Sequence, residues 1–304
     1  MKKEIAKILN VEFTRFKASD GVELQGWLSN ANSDIAVVHI HGMSGNGYEN
    51  YFLDNLREIY SKNEISFFTI DTRGRGIISS FWQGDKIDSW GEGTKLGGSC
   101  FEIFAESLDD IQGAIDYLKT LGKSKFILQG HSLGGSKVVN YLVSKQNPEI
   151  VGVILLAPTD MVGWANTDPL HQDHLKKSEK LILRGEGEEL VNAQCWLDKT
   201  PLSAQTYPTL CKAGTAVDIY GERAGRALLG KIQVPALIAY GDSDIGILKI
   251  DGTMDKWVER VNKIKNQNTK ISVIKGATHS FKGYEVELSQ AIELFIKEIL
   301  QIWQ

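Results

Sequence analysis

The feature that most constrains this chain is an alternation of short apolar segments with longer segments of helical periodicity. The segment Ile35–Ile40 is apolar almost throughout, without a polar face, as expected for a strand buried on both sides. The segment Phe101–Leu121 carries its apolar residues on one helical stripe and ends at Gly122, a common helix terminator. This alternation predicts an α/β protein with a mainly parallel sheet that is covered by helices on both faces.

The same patterns predict the other main elements. Two short runs, 11–17 and 22–28, flank the turn sequence Ala-Ser-Asp-Gly and predict an antiparallel hairpin at one edge of the sheet. The further predicted strands are Ile65–Ile70, Lys125–Gln129, Ile150–Leu156, Val234–Tyr240 and Thr269–Ile274, and the further predicted helices are Tyr51–Tyr60, Leu133–Lys145, Met254–Ile264 and Glu285–Ile302. In such sheets, functional residues collect at the carboxyl ends of the strands.

One long segment interrupts the alternation. Residues 159–230 contain several helical patches, including Gly187–Trp196, but no clear buried strand. A connection of this length without structure is uncommon in a compact domain, so we predict a helical cap inserted into a core of residues 1–158 and 231–304. The segment carries four aromatic side chains that either line a pocket or pack the cap onto the sheet: Trp164, Trp196, Tyr207 and Tyr220.

The most specific motif is a Gly-x-Ser-x-Gly pentapeptide that runs from Gly130 to Gly134. It directly follows the predicted strand Lys125–Gln129 and precedes the predicted helix Leu133–Lys145, which is the strand–turn–helix setting of a nucleophile elbow. The two glycines leave room for the close backbone approach that such a turn needs. We therefore predict Ser132 to be a nucleophile whose hydroxyl lies beside the amino terminus of the following helix.

A serine hydroxyl is a poor nucleophile at neutral pH, so it needs a base and a group that orients the base. After a serine in such a turn, the expected chain order is an acidic residue and then a histidine, each just past the end of a later strand. The strand Val234–Tyr240 runs into a loop that holds Asp242 and Asp244, and Thr269–Ile274 runs into a loop that holds His279. We predict His279 as the base and Asp244 as its orienting acid. Asp242 is the alternative acid, or caps the loop through backbone N–H groups.

Acyl transfer also requires two N–H donors aimed at the oxygen on which negative charge develops. One predicted donor is the backbone N–H of Leu133, the residue after the candidate nucleophile. The other is expected in His41-Gly42-Met43, at the end of the strand Ile35–Ile40. Met43 is the better donor candidate, and His41 is expected to brace the loop by hydrogen bonds.

Two further motifs are weaker. His171 and His174 could share a helix face, but no glutamate follows them in a zincin pattern, so we expect both to face solvent. The run Asp-Thr-Arg-Gly-Arg-Gly at 71–76 lacks the spacing and the lysine of a phosphate loop. It predicts instead a tight turn after a strand, held by Asp71 or Arg73. Neither a metal nor a cofactor is expected.

Composition narrows the classes of partner. The chain has 34 Lys and Arg against 38 Asp and Glu, and its formal net charge of −4 weighs against nucleic acid as the main partner. Three widely spaced cysteines without a CxxC pair argue against a disulfide framework and predict a cytoplasmic protein. No stretch approaches the roughly 18 apolar residues of a membrane span. The start of the chain is basic, as in a signal peptide, but charged or polar residues break any apolar run there. Nothing in the sequence indicates the oligomeric state.

Taken together, the strand-end motifs resemble those of the α/β-hydrolase superfamily. The resemblance rests on His41-Gly42, the run 71–76, the pentapeptide around Ser132, Gly-Asp-Ser-Asp244 and Ala-Thr-His279. It implies an eight-stranded, mostly parallel sheet, no cofactor and an acyl-enzyme on Ser132. Residues 159–230, with Ser203-Ala204 ahead of the Asp244 loop, are also similar to serine esterases of the siderophore-esterase kind. One departure is Gly246-Ile247 after Asp244, where many members have Val-Pro.

A serine at the nucleophile position implies acyl transfer to water, because the haloalkane dehalogenases and epoxide hydrolases of this superfamily place an aspartate there. The leading hypothesis is hydrolysis of a small-molecule carboxylic ester by Ser132, His279 and Asp244. Thioesters, amides and carbon–carbon bonds are cleaved by the same set of residues and stay open as alternatives. A ligand-binding protein of the same fold without turnover would usually lack a triad residue, whereas all three are present here.

Overall fold

The computed structural model describes residues 11–84, 93–195, 200–221 and 227–302, without the side chains of residues 192–195. Trp196 and the basic start of the chain lie outside the described residues. The strands are β1 (Glu12–Lys17), β2 (Glu23–Ser29), β3 (Ile35–Ile40), β4 (Ser66–Ile70), β5 (Ser79–Trp82), β6 (Thr94–Gly97), β7 (Lys125–His131), β8 (Ile150–Leu156), β9 (Leu190–Cys195), β10 (Thr200–Ser203), β11 (Ala236–Gly241) and β12 (Thr269–Ile274). The α-helices are α1 (Phe52–Lys62), α2 (Ser107–Thr120), α3 (Leu133–Lys145), α4 (Met161–Ala165), α5 (His171–Leu183), α6 (Thr206–Cys211), α7 (Ile245–Ile250), α8 (Met254–Ile264) and α9 (Glu285–Ile302).

The central sheet has eight strands in the order β1-β2-β4-β3-β7-β8-β11-β12. The pairs β1–β2 and β2–β4 are antiparallel, and every other neighbouring pair in this sheet is parallel. Every residue of β4 and β8 is buried, as expected for parallel strands that are covered on both faces. The predicted mostly parallel sheet with an antiparallel hairpin at its edge is therefore confirmed.

Helices cover the sheet in pairs. Helix α1 packs against α9, and α2 packs against α3. Helix α9 carries Leu288, Ile292, Phe295, Ile296 and Ile299 on its buried side, the stripe that its sequence predicts. Within the described ranges, no helix combines the length and the apolar character that crossing a bilayer requires.

Residues 159–230 leave the sheet after β8 and return to it at β11. They contain α4, α5 and α6, but also β9 and β10, which pair with each other in a separate antiparallel sheet. The sequence pattern predicted a helical patch over Gly187–Trp196, and the strand Leu190–Cys195 shows that this prediction was wrong. The strand pairs with β10. Pairing with another segment cannot be read from the spacing of apolar residues within one segment, so the periodicity indicated a helix.

The segment has its own apolar cluster, which also covers the end of β3 and the start of α3. Buried side chains of α4, β10 and α6 pack together with Leu133, and Met43 packs against the same cluster. The cluster includes Met161, Val162, Leu202, Tyr207 and Leu210. The segment therefore lies directly over the two backbone positions that the sequence predicts as oxyanion donors.

The run 71–76 forms the tight turn after β4 that the sequence predicts. The buried Arg73 guanidinium contacts Asp110 at 2.7 Å, Asp20 at 2.9 Å and Glu106 at 3.1 Å. Burial lowers the pKa of Arg73, but the carboxylates of Asp110 and Asp20 outweigh that effect and raise it. Asp71 accepts the Gly47 N–H at 2.8 Å. The turn is thus fixed to α2 on one side and to the loop after β3 on the other.

Candidate active site

Ser132 occupies a strained turn between β7 and α3. Its φ of 56° and ψ of −125° lie outside the regions that residues with a side chain normally adopt. A Cβ atom on Gly130 would lie 2.3 Å from the Gly134 carbonyl oxygen, and one on Gly134 would lie 2.2 Å from that of Ile40. No larger residue fits either position without movement of the backbone. The structure therefore has the tight strand–turn–helix geometry that the pentapeptide predicts, while the role of Ser132 as a nucleophile stays a prediction.

His279 and Asp244 meet across the loops that follow β12 and β11. The His279 Nδ1 and a carboxylate oxygen of Asp244 are 2.7 Å apart. The Asp244 side chain is only 1% exposed and also accepts the Gly246 N–H at 2.8 Å, where it caps α7. Because an ionised carboxylate only accepts hydrogen bonds, Nδ1 carries the proton and Nε2 is the nitrogen that can take another.

Asp242, the alternative acid, has a different set of partners. Its Oδ1 accepts the Gly276 N–H at 2.7 Å, which ties the loop after β11 to the loop after β12. The Ser243 hydroxyl donates to the same carboxylate at 3.3 Å. The structure thus places Asp244 against the His279 ring. Asp242 instead accepts a backbone N–H within the loops, the alternative role that its sequence position predicts.

Thr159 is a neighbour of Ser132 that sequence reasoning missed. The hydroxyl oxygens of Ser132 and Thr159 are 2.9 Å apart, within hydrogen-bonding distance. The Thr159 N–H donates to the Ser132 carbonyl at 3.3 Å, and its own carbonyl accepts the Ser136 hydroxyl at 3.1 Å. The available signal was its position just after β8, the strand next to β7, because adjacent parallel strands end at the same edge.

His131 is a second residue that sequence reasoning missed, although it belongs to the pentapeptide. Its Nε2 lies 2.9 Å from the His279 carbonyl oxygen, to which it donates, and the two rings are 5.1 Å apart. Burial, with a smaller effect from His279, lowers the pKa of His131 to about 3. A neutral His131 thus supports the backbone of the loop that carries His279.

His41 braces the loop after β3, as predicted. The Thr72 N–H donates to His41 Nε2 at 3.0 Å, and His41 Nδ1 lies 2.7 Å from the Gly42 carbonyl oxygen. Since a backbone N–H can only donate, Nε2 accepts and Nδ1 carries the single ring proton. Burial, and then the charge of Lys137, lowers the pKa of His41 to about 4. The ring is neutral and holds the loop to the 71–76 turn.

The two candidate oxyanion donors, Met43 and Leu133, both belong to backbone next to Ser132. A Cβ atom on Gly42 would be 2.9 Å from the Ser132 Cβ, so the loop that ends at Met43 packs directly against Ser132. Leu133 is the first residue of α3, where helix N–H groups have no partner within the helix. Among the described residues, no carbonyl or side chain accepts from the N–H of Met43 or of Leu133.

A cavity of about 290 Å³ joins these groups. Ser132, Asp244, His279 and Met43 all contribute to its wall. The rest of the lining is formed by Gly42, Glu49, His131, Thr159, Met161, Trp164, Ile245 and Gly246. The cavity is thus mainly apolar, with the predicted nucleophile, base and acid at one place in its wall.

The aromatic residues of the segment 159–230 divide between two roles. Trp164 lines the cavity. Tyr220 is buried and donates to the Pro158 carbonyl at 2.8 Å, and Tyr207 is buried against the histidines of α5. Only Trp164, of the three that the structure describes, has the pocket-lining role.

The expectation that both histidines of α5 face solvent was wrong for His171. It is only 4% exposed, and its Nδ1 lies 3.0 Å from the Tyr207 hydroxyl, because α5 packs against α6. In the ranges that the structure describes, no group of three or more His, Cys, Asp or Glu side chains is arranged to hold a metal ion.

Comparison with known proteins adds a family and a fold. A family model described as "Protein of unknown function (DUF1749)" matches residues 98–303, more than half of the chain and the part that contains Ser132, Asp244 and His279. The comparison with curated proteins gives no match.

Solved structures of α/β hydrolases and esterases share the fold. The structure is similar to Est1E from Butyrivibrio proteoclasticus with bound ferulic acid (TM-score 0.65, 19% identity, 95% of this chain and 100% of Est1E). It is also similar to the α/β hydrolase GrgF from Penicillium sp. sh18 (TM-score 0.65, 15% identity, coverage 96% and 100%). A third is the esterase Pf2001 of Pyrococcus furiosus (TM-score 0.57, 16% identity, coverage 95% and 91%). At these identities the likeness establishes the α/β-hydrolase fold.

Two of the buried histidines, His131 and His41, predict that the folded state loses stability in acid. An unfolded histidine takes a proton near pH 6.5, whereas His131 and His41 in the folded state do so only near pH 3 and pH 4. The contribution of the neutral rings to the unfolding free energy is therefore complete above pH 6.5. It declines by about 1.4 kcal/mol per pH unit for each histidine as the pH falls from 6.5 toward the folded-state pKa. Urea unfolding at pH 7, 6 and 5 measures it.

His131→Gln is the matched variant, because glutamine keeps an N–H donor for the His279 carbonyl but takes no proton. The difference in unfolding free energy between wild type and variant should shrink as the pH falls from 6.5 to 5. Parallel pH curves for the two proteins would show that His131 is not held neutral in the folded state.

Proposed function

Because the chain belongs to the DUF1749 family and has the α/β-hydrolase fold, we propose that it is a serine hydrolase that cleaves carboxylic esters. The observation that carries the proposal is the meeting of three groups at one cavity wall. These are the strained Ser132, the His279 ring and the buried Asp244, whose carboxylate lies 2.7 Å from that ring. This set activates a serine hydroxyl for acyl transfer at neutral pH.

In the proposed reaction, the Ser132 Oγ attacks the ester carbonyl carbon while its proton passes to His279 Nε2. The carbonyl electron pair moves onto the oxygen, and the N–H groups of Met43 and Leu133 stabilise that oxyanion. When the tetrahedral intermediate collapses, the alcohol leaves with the proton from His279, and an acyl group stays on Ser132. A water molecule then attacks the acyl carbon while it gives a proton to His279. When the bond from that carbon to the Ser132 Oγ breaks, His279 returns the proton to Oγ, and the acid is released.

Asp244 acts on the base. Its hydrogen bond to Nδ1 holds the His279 ring in the tautomer that presents Nε2 as the acceptor, and its charge stabilises the imidazolium. The burial of Asp244 limits the solvent that screens its carboxylate, whereas 38% of the His279 side chain is exposed. The Gly246 N–H holds the second carboxylate oxygen and keeps the acid in place.

The cavity supports a small, largely apolar acyl or alcohol group. Its volume of about 290 Å³ is at the lower end of the range for small-molecule sites. Met161 and Trp164 of the segment 159–230 contribute to its wall, so we propose that this segment acts as a cap that selects the substrate. Est1E, which has ferulic acid bound, and the Pyrococcus esterase are consistent with ester chemistry on this fold.

Hydrolysis of p-nitrophenyl esters from acetate to palmitate tests the proposal. We expect turnover of the shorter esters, and Ser132→Ala should remove it while the circular dichroism spectrum stays that of the wild type. Turnover retained by Ser132→Ala would disprove the assignment of the nucleophile. Absence of turnover on every ester by folded wild type would disprove ester hydrolysis and favour thioesters, amides, carbon–carbon bonds or ligand binding alone.

A pair of aspartate variants tests the acid. Asp244→Asn should lower kcat by about 10³–10⁴, because an amide favours the wrong histidine tautomer. Asp242→Asn removes a carboxylate from the same loop but leaves the His279 contact, so its loss in kcat should be much smaller. Steady-state kinetics on the best ester of the series distinguishes the two, and the reverse order would assign the acid to Asp242.

A further inference from the structure

One charged side chain in the cavity wall has no part in the proposed reaction. Glu49 lines the same cavity as Ser132 and Met43, and its side chain is solvent-exposed, which places it where the cavity opens. It lies in the connection between β3 and α1, a few residues after Met43, the candidate oxyanion donor. A substrate bound in this cavity at Ser132 would therefore share its wall with the Glu49 residue.

The position of the Glu49 carboxylate is fixed by its own loop. Its Oε2 accepts the Asn46 side-chain N–H at 3.0 Å. A Cβ atom on Gly45 would lie 2.7 Å from its Oε1, so the carboxylate rests against the turn that follows Met43. Glu49 is thus exposed, but its carboxylate is held against the turn that follows Met43.

The charge of Glu49 is not balanced within the protein. In the described part of the chain, no lysine or arginine nitrogen lies within 4 Å of its carboxylate. Partial burial, and then the negative charge of Asp71, raises the pKa of Glu49. The other carboxylate in the wall, that of Asp244, is paired with His279. Glu49 therefore offers a negative charge that a cation could stabilise.

We propose that Glu49 selects esters that carry a positively charged group, such as an ammonium, close to the scissile bond. This inference rests on the proposed ester hydrolysis and names the substrate class for the same site. A cation at the cavity mouth would pair with Glu49, while the apolar wall formed by Met43, Met161 and Trp164 takes the rest of the molecule.

The test compares esters that differ only in charge. A choline ester is matched with the 3,3-dimethylbutyl ester of the same acid, and an ethyl 4-aminobutanoate with ethyl pentanoate. In the wild type, the charged member of at least one pair should have a kcat/KM about three- to fivefold higher than the neutral member, as expected for a partly solvated ion pair. The preference should fall as the salt concentration rises.

Variants at Glu49 assign the preference. Glu49→Gln should bring the ratio of charged to neutral kcat/KM close to one, and Glu49→Lys should invert it. The control is Glu58→Gln, which removes the same charge from the exposed face of α1 and should leave the ratio unchanged. Because each ratio is taken within one protein, it does not depend on the overall activity of a variant.

The outcomes separate this inference from the proposed function. Ser132-dependent hydrolysis of a neutral ester supports ester hydrolysis whatever the charge preference. If neutral esters are cleaved but no pair favours the cation, or if the preference survives in Glu49→Gln, the role of Glu49 is disproved and ester hydrolysis stands. If no ester is cleaved, both are disproved.

Discussion

The candidate site depends above all on the backbone strain at Ser132. Ser132, a residue with a side chain, has a φ of 56°. Such a strained conformation persists only where the surrounding structure, here β7, α3 and the neighbouring strand ends, fixes the backbone. Gly130 and Gly134 make that turn possible, since a Cβ atom at either would overlap backbone atoms. In this turn the Ser132 hydroxyl lies 2.9 Å from that of Thr159 and at the wall of the cavity that His279 also lines, and α3 begins at the next residue. The proposed nucleophile and one proposed oxyanion donor are thus adjacent residues of a single turn.

Buried polar contacts hold the loop that carries Met43, the second proposed oxyanion donor. The ammonium of Lys137, on α3, lies 2.7 Å from the Glu102 carboxylate and 3.4 Å from the Thr72 hydroxyl, and both charged side chains are almost completely buried. Thr72 in turn holds His41, which braces the loop that ends at Met43. Breaking a buried pair of this kind costs about 3–5 kcal/mol, because the remaining charge has no partner. These contacts connect α3 to the loop that carries Met43 through side chains that do not line the cavity.

Much of the fold could be predicted because its elements are set by local patterns. The strand Ile150–Leu156 and the helix Met254–Ile264 match their predicted bounds, since continuous burial and helical periodicity are properties of the segment itself. Predicting the site was possible because parallel strands bring their carboxyl ends to one edge, where Ser132, Asp244 and His279 follow three of them. Strand β9, in contrast, is fixed by pairing with β10. Thr159 and Glu49 carry no motif, and only the folded chain shows that they lie at the cavity.

Labelling with a fluorophosphonate tests the central claim, an activated serine at position 132, without any assumption about the substrate. The Ser132 oxygen should displace fluoride from phosphorus and form a stable covalent adduct. Intact-mass and peptide mass spectrometry should then show one label per chain, on the peptide that contains Ser132. Unfolded protein and Ser132→Ala should remain unlabelled under the same conditions. A folded wild type that stays unlabelled, or a label that persists in Ser132→Ala, would contradict the account.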